Sequence, residues 1–471
     1  MLDDTIAAIA TPLGEGGLAV IRLSGPQGPA IADEIFVPMG KSSLKPSAAP
    51  THTIQYGRVE RDGRVIDEVL VAVMRAPRTF TREDVVEITC HGGLLPAKLI
   101  LDALLANGTR LAEPGEFTKR AFLNGRIDLA QAEAVADLIH SRTELALAAA
   151  NEQLAGKLSQ RINQLRDDLM KTMAHIEAHI DFPDEDIAPD TKQQLLKRLD
   201  TGVAFMEDLL RTANEGQILR RGIRTAIIGR PNVGKSSLLN QLLGRDRAIV
   251  SPIPGTTRDT IEETANIRGL PVVFIDTAGL REAGDEIEAE GIRRSRESLT
   301  AAELILHVLD ASEPFTAADE KFLSEFADKK RILVLNKADL PRRLEVGRVS
   351  PCAPLLASRE GAHGETRPTI EVSCLTSAGL ESLKDAIKQC VWSGEIKVEM
   401  LQVMINSRHQ EALLRAREAT VRAAGALRQD LTLELVAMDL RIAVNAVGEI
   451  VGKTSTEDLL DSIFSQFCIG K

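Results

Sequence analysis

No stretch of the 471-residue chain approaches the ~18–20 uninterrupted apolar residues that a membrane span requires. An excess of positive charge is missing as well. The 57 basic side chains are outnumbered by 68 acidic ones, for a formal net charge of −11. Composition therefore makes no general case for nucleic-acid binding, and an RNA partner would need a local basic patch or a second protein. Cysteine is sparse: Cys90, Cys352, Cys374, Cys390 and Cys468 are scattered, without a C-x-x-C pair. That excludes a zinc ribbon of the usual spacing, and a disulfide framework with it, and points to a reducing compartment. The opening MLDDTIAAIATPLGEGG carries acids where a signal peptide carries basic residues. A cytoplasmic protein without a membrane partner is the expectation. The 44% hydrophobic and 27% charged residues are a globular balance, which excludes disorder as the dominant state. The length predicts two to four domains.

Three textures follow one another. The first 120 residues are rich in Gly and Pro, with short β-rich runs such as GGLAVIRLSG, VLVAVMRAP and DVVEITCHGG, and read as a small α+β domain. From Asp128, a plausible helix N-cap, long helices take over. Leu158, Ile162, Leu165, Leu169, Met173, Ile176 and Ile180 recur at helical spacing and form one apolar stripe, the face of a helix in a bundle core. DFPDEDIAP stops that helix, and a further polar helix runs to about Asn214. Around Arg224 the texture changes to strands and helices in alternation. RTAIIG, VVFID, ELILHVLD, RILVLN and IEVSC are strand-length apolar runs, most of them separated by helix-like segments, as in a parallel α/β sheet. Residues 341–369 have the composition of a surface insertion. After Trp392 helix formers return, up to the tail FCIGK. The reading is a multidomain α/β and α+β protein: an N-terminal domain over residues 1–121, a helical domain in two parts, 122–221 and 395–471, and an α/β domain inserted at 222–394.

The strongest motif is Gly229-Arg-Pro-Asn-Val-Gly-Lys-Ser236, a complete G-x-x-x-x-G-K-[ST] between a strand and a helix. Its glycines let backbone N–H groups curl around phosphates at a helix N-terminus. Asn232, Val233, Gly234, Lys235, Ser236 and Ser237 are assigned to this cradle, with Lys235 on the β- and γ-phosphates and Ser236 on magnesium. Asp276, Thr277, Ala278 and Gly279 end a strand, placing a carboxylate at the magnesium shell and an amide at the γ-phosphate. Asn336-Lys337-Ala-Asp339 ends another. There the Asp339 carboxylate can accept both guanine N1–H and the exocyclic amine, a donor pair that adenine lacks. Ser373, Cys374 and Leu375 fill the slot where a Ser-Ala pair usually closes over the base. The reading is a GTP site.

Leu280 stands where small signalling GTPases carry the glutamine that orients the attacking water, so hydrolysis needs another polariser. The loop Ser251, Pro252, Ile253, Pro254, Gly255, Thr256, Thr257 is the candidate. Thr257 can close on magnesium. Carbonyls turned inward could cage a monovalent cation beside Asn232, doing the work of an arginine finger; an ordinary switch loop without a cation is the alternative.

These G motifs sit between a helical segment and a tail ending FCIGK. Together with TPLGEGGLAVIRLSG, CHGG, PGEFTKRAFLNGRIDLAQAEAVADLI and IDFPDEDI, they make the chain resemble the tRNA modification GTPases of the MnmE (TrmE) family over essentially its whole length. The resemblance implies a Ras-like G domain, a discontinuous helical domain and an N-terminal dimerisation domain that resembles one-carbon-folate-binding proteins. It implies a homodimer, joined by an MnmG-type flavoprotein in a heterotetramer or larger complex. The pair would place a carboxymethylaminomethyl-type group on C5 of the wobble uridine of tRNA. Carried over, Asn232, Ser251, Ile253 and Thr256 would bind K⁺, and Ser236 and Thr257 Mg²⁺. Glu288 would orient the attacking water through a second water. Arg22, Glu87, Arg126 and Lys471 would bind 5-formyl- or methylene-tetrahydrofolate. Arg126 stands where relatives commonly have Lys, which keeps the charge and changes the geometry. For Cys468, packing beside the folate pocket and nucleophilic attack on the uridine are both open; no base adjoins it in sequence. Two rival functions remain: a ribosome-assembly or regulatory GTPase, although no KH-like basic module is visible, and a folate-dependent one-carbon transferase with a regulatory G domain.

Overall fold

A computed structural model describes residues 4–40, 43–182, 192–246, 262–275, 300–317, 319–320, 329–344, 369–392 and 401–471. They gather into two compact units. One comprises Met1–Ala136, Glu152–Leu210 and Arg408–Lys471, the other Asp137–Asn151 and Arg211–Ser407.

The first unit is built on a seven-stranded sheet of β1 (Ile6–Ile9), β2 (Leu18–Ser24), β3 (Phe36–Pro38), β4 (Thr53–Arg61), β5 (Arg64–Met74), β6 (Val85–His91) and β7 (Arg110–Leu111). The order is β3-β4-β5-β6-β2-β1-β7, antiparallel throughout except for the parallel β1–β7 pair. Alternation decides its faces. Ile21 and Leu23 of β2, Val69, Val71 and Val73 of β5, and Val86, Ile88 and Cys90 of β6 turn inward with Ile100 and Leu104 of the helix Leu94–Ala106. The same period turns Arg22 and Glu87, opposite one another in the β2–β6 register, to the other face.

The helices of this unit follow the expected stripe. In the helix Lys157–Asp181, Leu158, Ile162, Leu165, Leu169 and Ile176 are buried, and the helix Leu433–Val451 packs against it. Asp128 caps the helix Leu129–His140 as expected. Its Oδ1 accepts from Gln131 N–H at 2.9 Å, and Gln131 Oε1 accepts from Asp128 N–H at 3.0 Å. This is a reciprocal capping box.

The second unit holds a six-stranded sheet: β8 (Ile223–Ile228), β9 (Glu263–Ile267), β10 (Leu270–Phe274), β11 (Leu304–Asp310), β12 (Lys330–Asn336) and β13 (Thr369–Glu371). The order is β13-β12-β11-β8-β10-β9. Every neighbouring pair is parallel except β9–β10, and all seven residues of β11 are buried, as the apolar runs require. The sequence reading differs in two places. It omits β9, which is joined to β10 by the turn Arg268-Gly269, where φ is 54° and 88°, a hairpin geometry that favours glycine. It also ends the polar helix near Asn214. The chain is helical over Lys192–Arg211 and again over Ala213–Arg221. Gly216 lies inside the second helix because a Cβ there would stand 2.5 Å from the Ile405 carbonyl oxygen.

Candidate functional site

Strand β8 delivers the chain to Gly229 with φ +145°, where a Cβ would stand 2.2 Å from the Val308 carbonyl oxygen of β11. Only glycine lets the loop leave the sheet there. Asn232 and Gly234 continue at φ 62° and 97°, and the helix Lys235–Asp246 begins at once. The backbone N–H groups of the loop and first turn thus face one concavity, with the positive end of the helix behind it. Lys235 Nζ donates to the carbonyls of Gly229 at 2.8 Å and Arg230 at 2.7 Å. Burial pushes its pKa below the ordinary lysine value, so an arriving polyanion is the partner that favours its charge. Ser236 is half-buried at the second position of the helix and Ser237 is exposed. Val233 is buried in the core.

The base-reading residues are tied to this loop. Asn336, at the end of β12, is buried. Its Nδ2 donates to the Val233 carbonyl at 2.9 Å and its Oδ1 accepts from Cys374 N–H at 3.3 Å. Asp339 is exposed. Its Oδ1 accepts from Ser373 Oγ at 2.5 Å, and the same hydroxyl accepts from Thr376 N–H at 3.2 Å. Lys337, with φ 62°, reaches back to Asp310 Oδ2 at 2.6 Å. Burial would raise the Asp310 carboxyl, but Lys337 and Ser312 outweigh it and hold it below the ordinary value. The Cys374 thiol is half-buried. Burial pushes its pKa up against a lowering contact from Asn336. Leu375 is 84% exposed.

The structure therefore brings Asn232, Val233, Gly234, Lys235, Ser236, Ser237, Asn336, Lys337, Asp339, Ser373, Cys374 and Leu375 to one end of one sheet. The motif residues Ser251, Pro252, Ile253, Pro254, Gly255, Thr256, Thr257, Asp276, Thr277, Ala278, Gly279 and Glu288 lie outside the described residues. Three residues to which the sequence reading gave no role also take part. Asp310 anchors Lys337. Arg230 is held by Asp319 at 3.0 Å and Glu313 at 3.2 Å. Gln241 donates from Nε2 to the Cys374 carbonyl at 2.9 Å. Their partners are remote in sequence, which leaves no spacing to read.

A second site lies in the first unit. Arg22 Nε donates to Glu87 Oε1 at 2.7 Å and Nη1 to the Gly470 carbonyl at 3.1 Å. Its guanidinium also stands 5.7 Å from the centroid of the Phe117 ring. The tail is held by backbone contacts. Ile469 bridges Pro114, Phe117 N–H donates to the Lys471 carbonyl at 3.2 Å and Gly115 N–H to the Cys468 carbonyl at 3.4 Å. Burial lowers the pKa of the half-buried Lys471 ammonium. The Arg22 charge adds to this, against Glu87 and Cys468. Arg22, Glu87 and Lys471 thus share one neighbourhood: two cations and a carboxylate, each partly open. Arg126 Nη1 donates to the Thr79 carbonyl at 3.1 Å, and its Cζ lies 5.9 Å from the Phe80 ring centroid. Cys468 is exposed.

Residues 5–126 match the family model of the GTP-binding protein TrmE N-terminus, and residues 129–468 match that of the MnmE helical domain. The chain belongs to the MnmE family of tRNA modification GTPases. It is 48% identical over 471 residues to the tRNA modification GTPase MnmE of Geobacillus kaustophilus, covering 99% of each chain. With that of Bacillus subtilis it is 46% identical over 472 residues, covering 99% of this chain and 100% of the other. Among solved structures, the G domain of the T. maritima FeoB iron transporter is 24% identical, with a TM-score of 0.26, over 36% of this chain and 98% of that one. The family carries the fold read above: a TrmE N-terminal domain, a helical domain and a P-loop GTPase sheet within one chain.

Proposed function

We propose that the protein is a GTP hydrolase acting in tRNA modification, and that its hydrolysis is activated by potassium. In this reading it works with a flavin-dependent partner of the MnmG type on C5 of the wobble uridine, as a cytoplasmic homodimer within a larger complex. One observation carries the nucleotide half. Asn336 is bonded to the Val233 carbonyl of the phosphate loop while Asp339 stands exposed beside Ser373. Phosphate cradle and base reader are thereby at one fixed separation, and a carboxylate at the base end selects guanine by its N1–H and amine donors. The names of its relatives support the tRNA half.

The described residues of the phosphate loop suit the expected nucleotide. At Gly229 and Gly234 a Cβ would run into the Val308 carbonyl and the Asn336 side chain, so the loop path requires glycine, and among the described residues the hydrogen-bond partners of Lys235 Nζ are neutral carbonyls. Ser236 and Thr257 would hold Mg²⁺, and Asn232, Ser251, Ile253 and Thr256 would hold K⁺. The two ions would supply positive charge at the phosphates when bound. With Leu280 unable to hydrogen-bond water, Glu288 orients the nucleophile. At the second site, Glu87 suits the aminopyrimidine edge of a reduced folate, while Arg22 and Lys471 suit its carboxylates. Arg126, bonded to the Thr79 carbonyl, would add a third cation.

The test has two arms: phosphate release from GTP by the purified protein, and mass spectrometry of wobble nucleosides from a deletion strain. GTP turnover together with unmodified wobble uridine in the strain is the expected result. Normal modification would favour a ribosome-assembly role, and turnover of folate by the isolated protein would favour a one-carbon transferase.

A further inference from the structure

We propose that Gln241 is a positioning residue for guanine recognition, which acts by fixing one peptide plane of the base-closing loop. The inference rests on the reading of this site as a guanine-nucleotide site. Gln241 lies on the helix that begins at the phosphate loop, in its second turn. Its side-chain Nε2 donates to the Cys374 carbonyl at 2.9 Å. A trans peptide sets its N–H antiparallel to its C=O. A Cys374 carbonyl held on Gln241 therefore turns the Leu375 N–H away from that helix. On the other side of the same residue, Cys374 N–H is held by Asn336 Oδ1 at 3.3 Å, and Ser373 is fixed by its hydroxyl on Asp339 and its N–H on the Ala378 carbonyl at 3.0 Å.

Three side chains from outside the loop thus anchor it. Asn336 and Asp339 belong to the base-reading motif itself, and Gln241 alone comes from the phosphate-binding helix. The Leu375 side chain is 84% exposed, so on the Leu375 side no packing holds this peptide, while Cys374 packs against the core and leaves its carbonyl to Gln241. Without Gln241 that peptide can rotate, and a carbonyl can turn toward the base where N–H donors are needed. Guanine has an acceptor at its six position and adenine an amine. A wandering peptide therefore weakens guanine binding and leaves adenine binding nearly unaffected.

The experiment measures GDP and ADP dissociation constants, with magnesium, for the wild type, Gln241→Ala and Gln241→Lys; the lysine keeps a donor for the carbonyl. Gln241→Ala is expected to weaken GDP about tenfold, the scale of one neutral hydrogen bond, through faster dissociation. ADP should move by less than about twofold, and Gln241→Lys should recover most of the GDP loss. Equal losses for GDP and ADP would show that Gln241 only supports the helix and would overturn the proposal, as would unchanged GDP binding in Gln241→Ala. A wild type that does not prefer GDP over ADP would instead overturn the guanine site itself.

Discussion

A carboxylate can act as a base reader only if nothing in the protein uses it up. Asp339 spends one oxygen on the Ser373 hydroxyl and remains exposed. Asp339→Asn replaces an acceptor for two guanine donors by an amide that satisfies one. GTP binding is expected to weaken by several kcal/mol while xanthosine nucleotides gain; competition against a fluorescent GDP reads both. His307 obeys different physics. It is fully buried on β11. Burial, helped by the Arg331 charge and opposed by Asp319, pushes its pKa down to about 4. The unfolded chain titrates near the ordinary value of about 6.5, so between these values the unfolded state binds more protons. Stability then falls as pH is lowered through that window, by up to about 3 kcal/mol. His307→Leu should flatten the dependence of Tm on pH between neutrality and about 4.5; an unchanged slope would mean that His307 is not its source. Lys235, Asn336 and Asp339 were legible in the sequence because the nucleotide demands those residue types at fixed spacing. Gln241, Arg230 and Asp310 were not, since each answers a partner that folding alone brings near.

Between helices, one buried ion group holds the N-terminal half of the chain to its end. Glu133, on the helix Leu129–His140, accepts from Arg408 Nε at 2.9 Å and Nη2 at 2.8 Å, and His409 Nε2 lies 2.8 Å from it. Burial would raise this carboxyl, but His409 and Arg408 outweigh it and hold it far below the usual carboxylate range. Its stabilisation is present above the unfolded value of about 4.3 and is lost only in strong acid. Glu133→Ala leaves Arg408 with carbonyl partners alone and should cost about 3–5 kcal/mol. Thermal unfolding of the variant measures it, and a loss under about 1 kcal/mol would mean that the pair contributes little. The stripe from Leu158 to Ile176 could be read in advance because a helix face repeats. Strand β9 could not, since ETANI is five residues long and gains strand identity only from its pairing with β10. Nor could the helix Ala213–Arg221, whose Gly216 answers the close approach of the Ile405 carbonyl.

At the scale of the molecule, the chemistry of hydrolysis and the body that holds it can be tested separately. Leu280 supplies no polar group to the water, so phosphate release should be markedly faster in potassium than in sodium at equal ionic strength. Equal rates would remove the cation from the mechanism. The architecture has a further consequence, in the order of synthesis. The first unit draws on three segments, and the third, Arg408–Lys471, is translated after the whole of Arg211–Ser407. The buried face of the helix Lys157–Asp181 must therefore wait for the helix Leu433–Val451. At about 5–20 residues per second the wait lasts some tens of seconds. Meanwhile the second unit has received all its residues and can fold beside an unfinished neighbour. Ribosome-bound chains stalled shortly after Ser407 has cleared the exit tunnel should resist protease in the strands β8, β11 and β12 and in the helix Lys235–Asp246, and be cut within the helix Lys157–Asp181. Trigger-factor-type chaperones, which cover apolar surface on emerging chains, would find their longest engagement on a helix made early and partnered last.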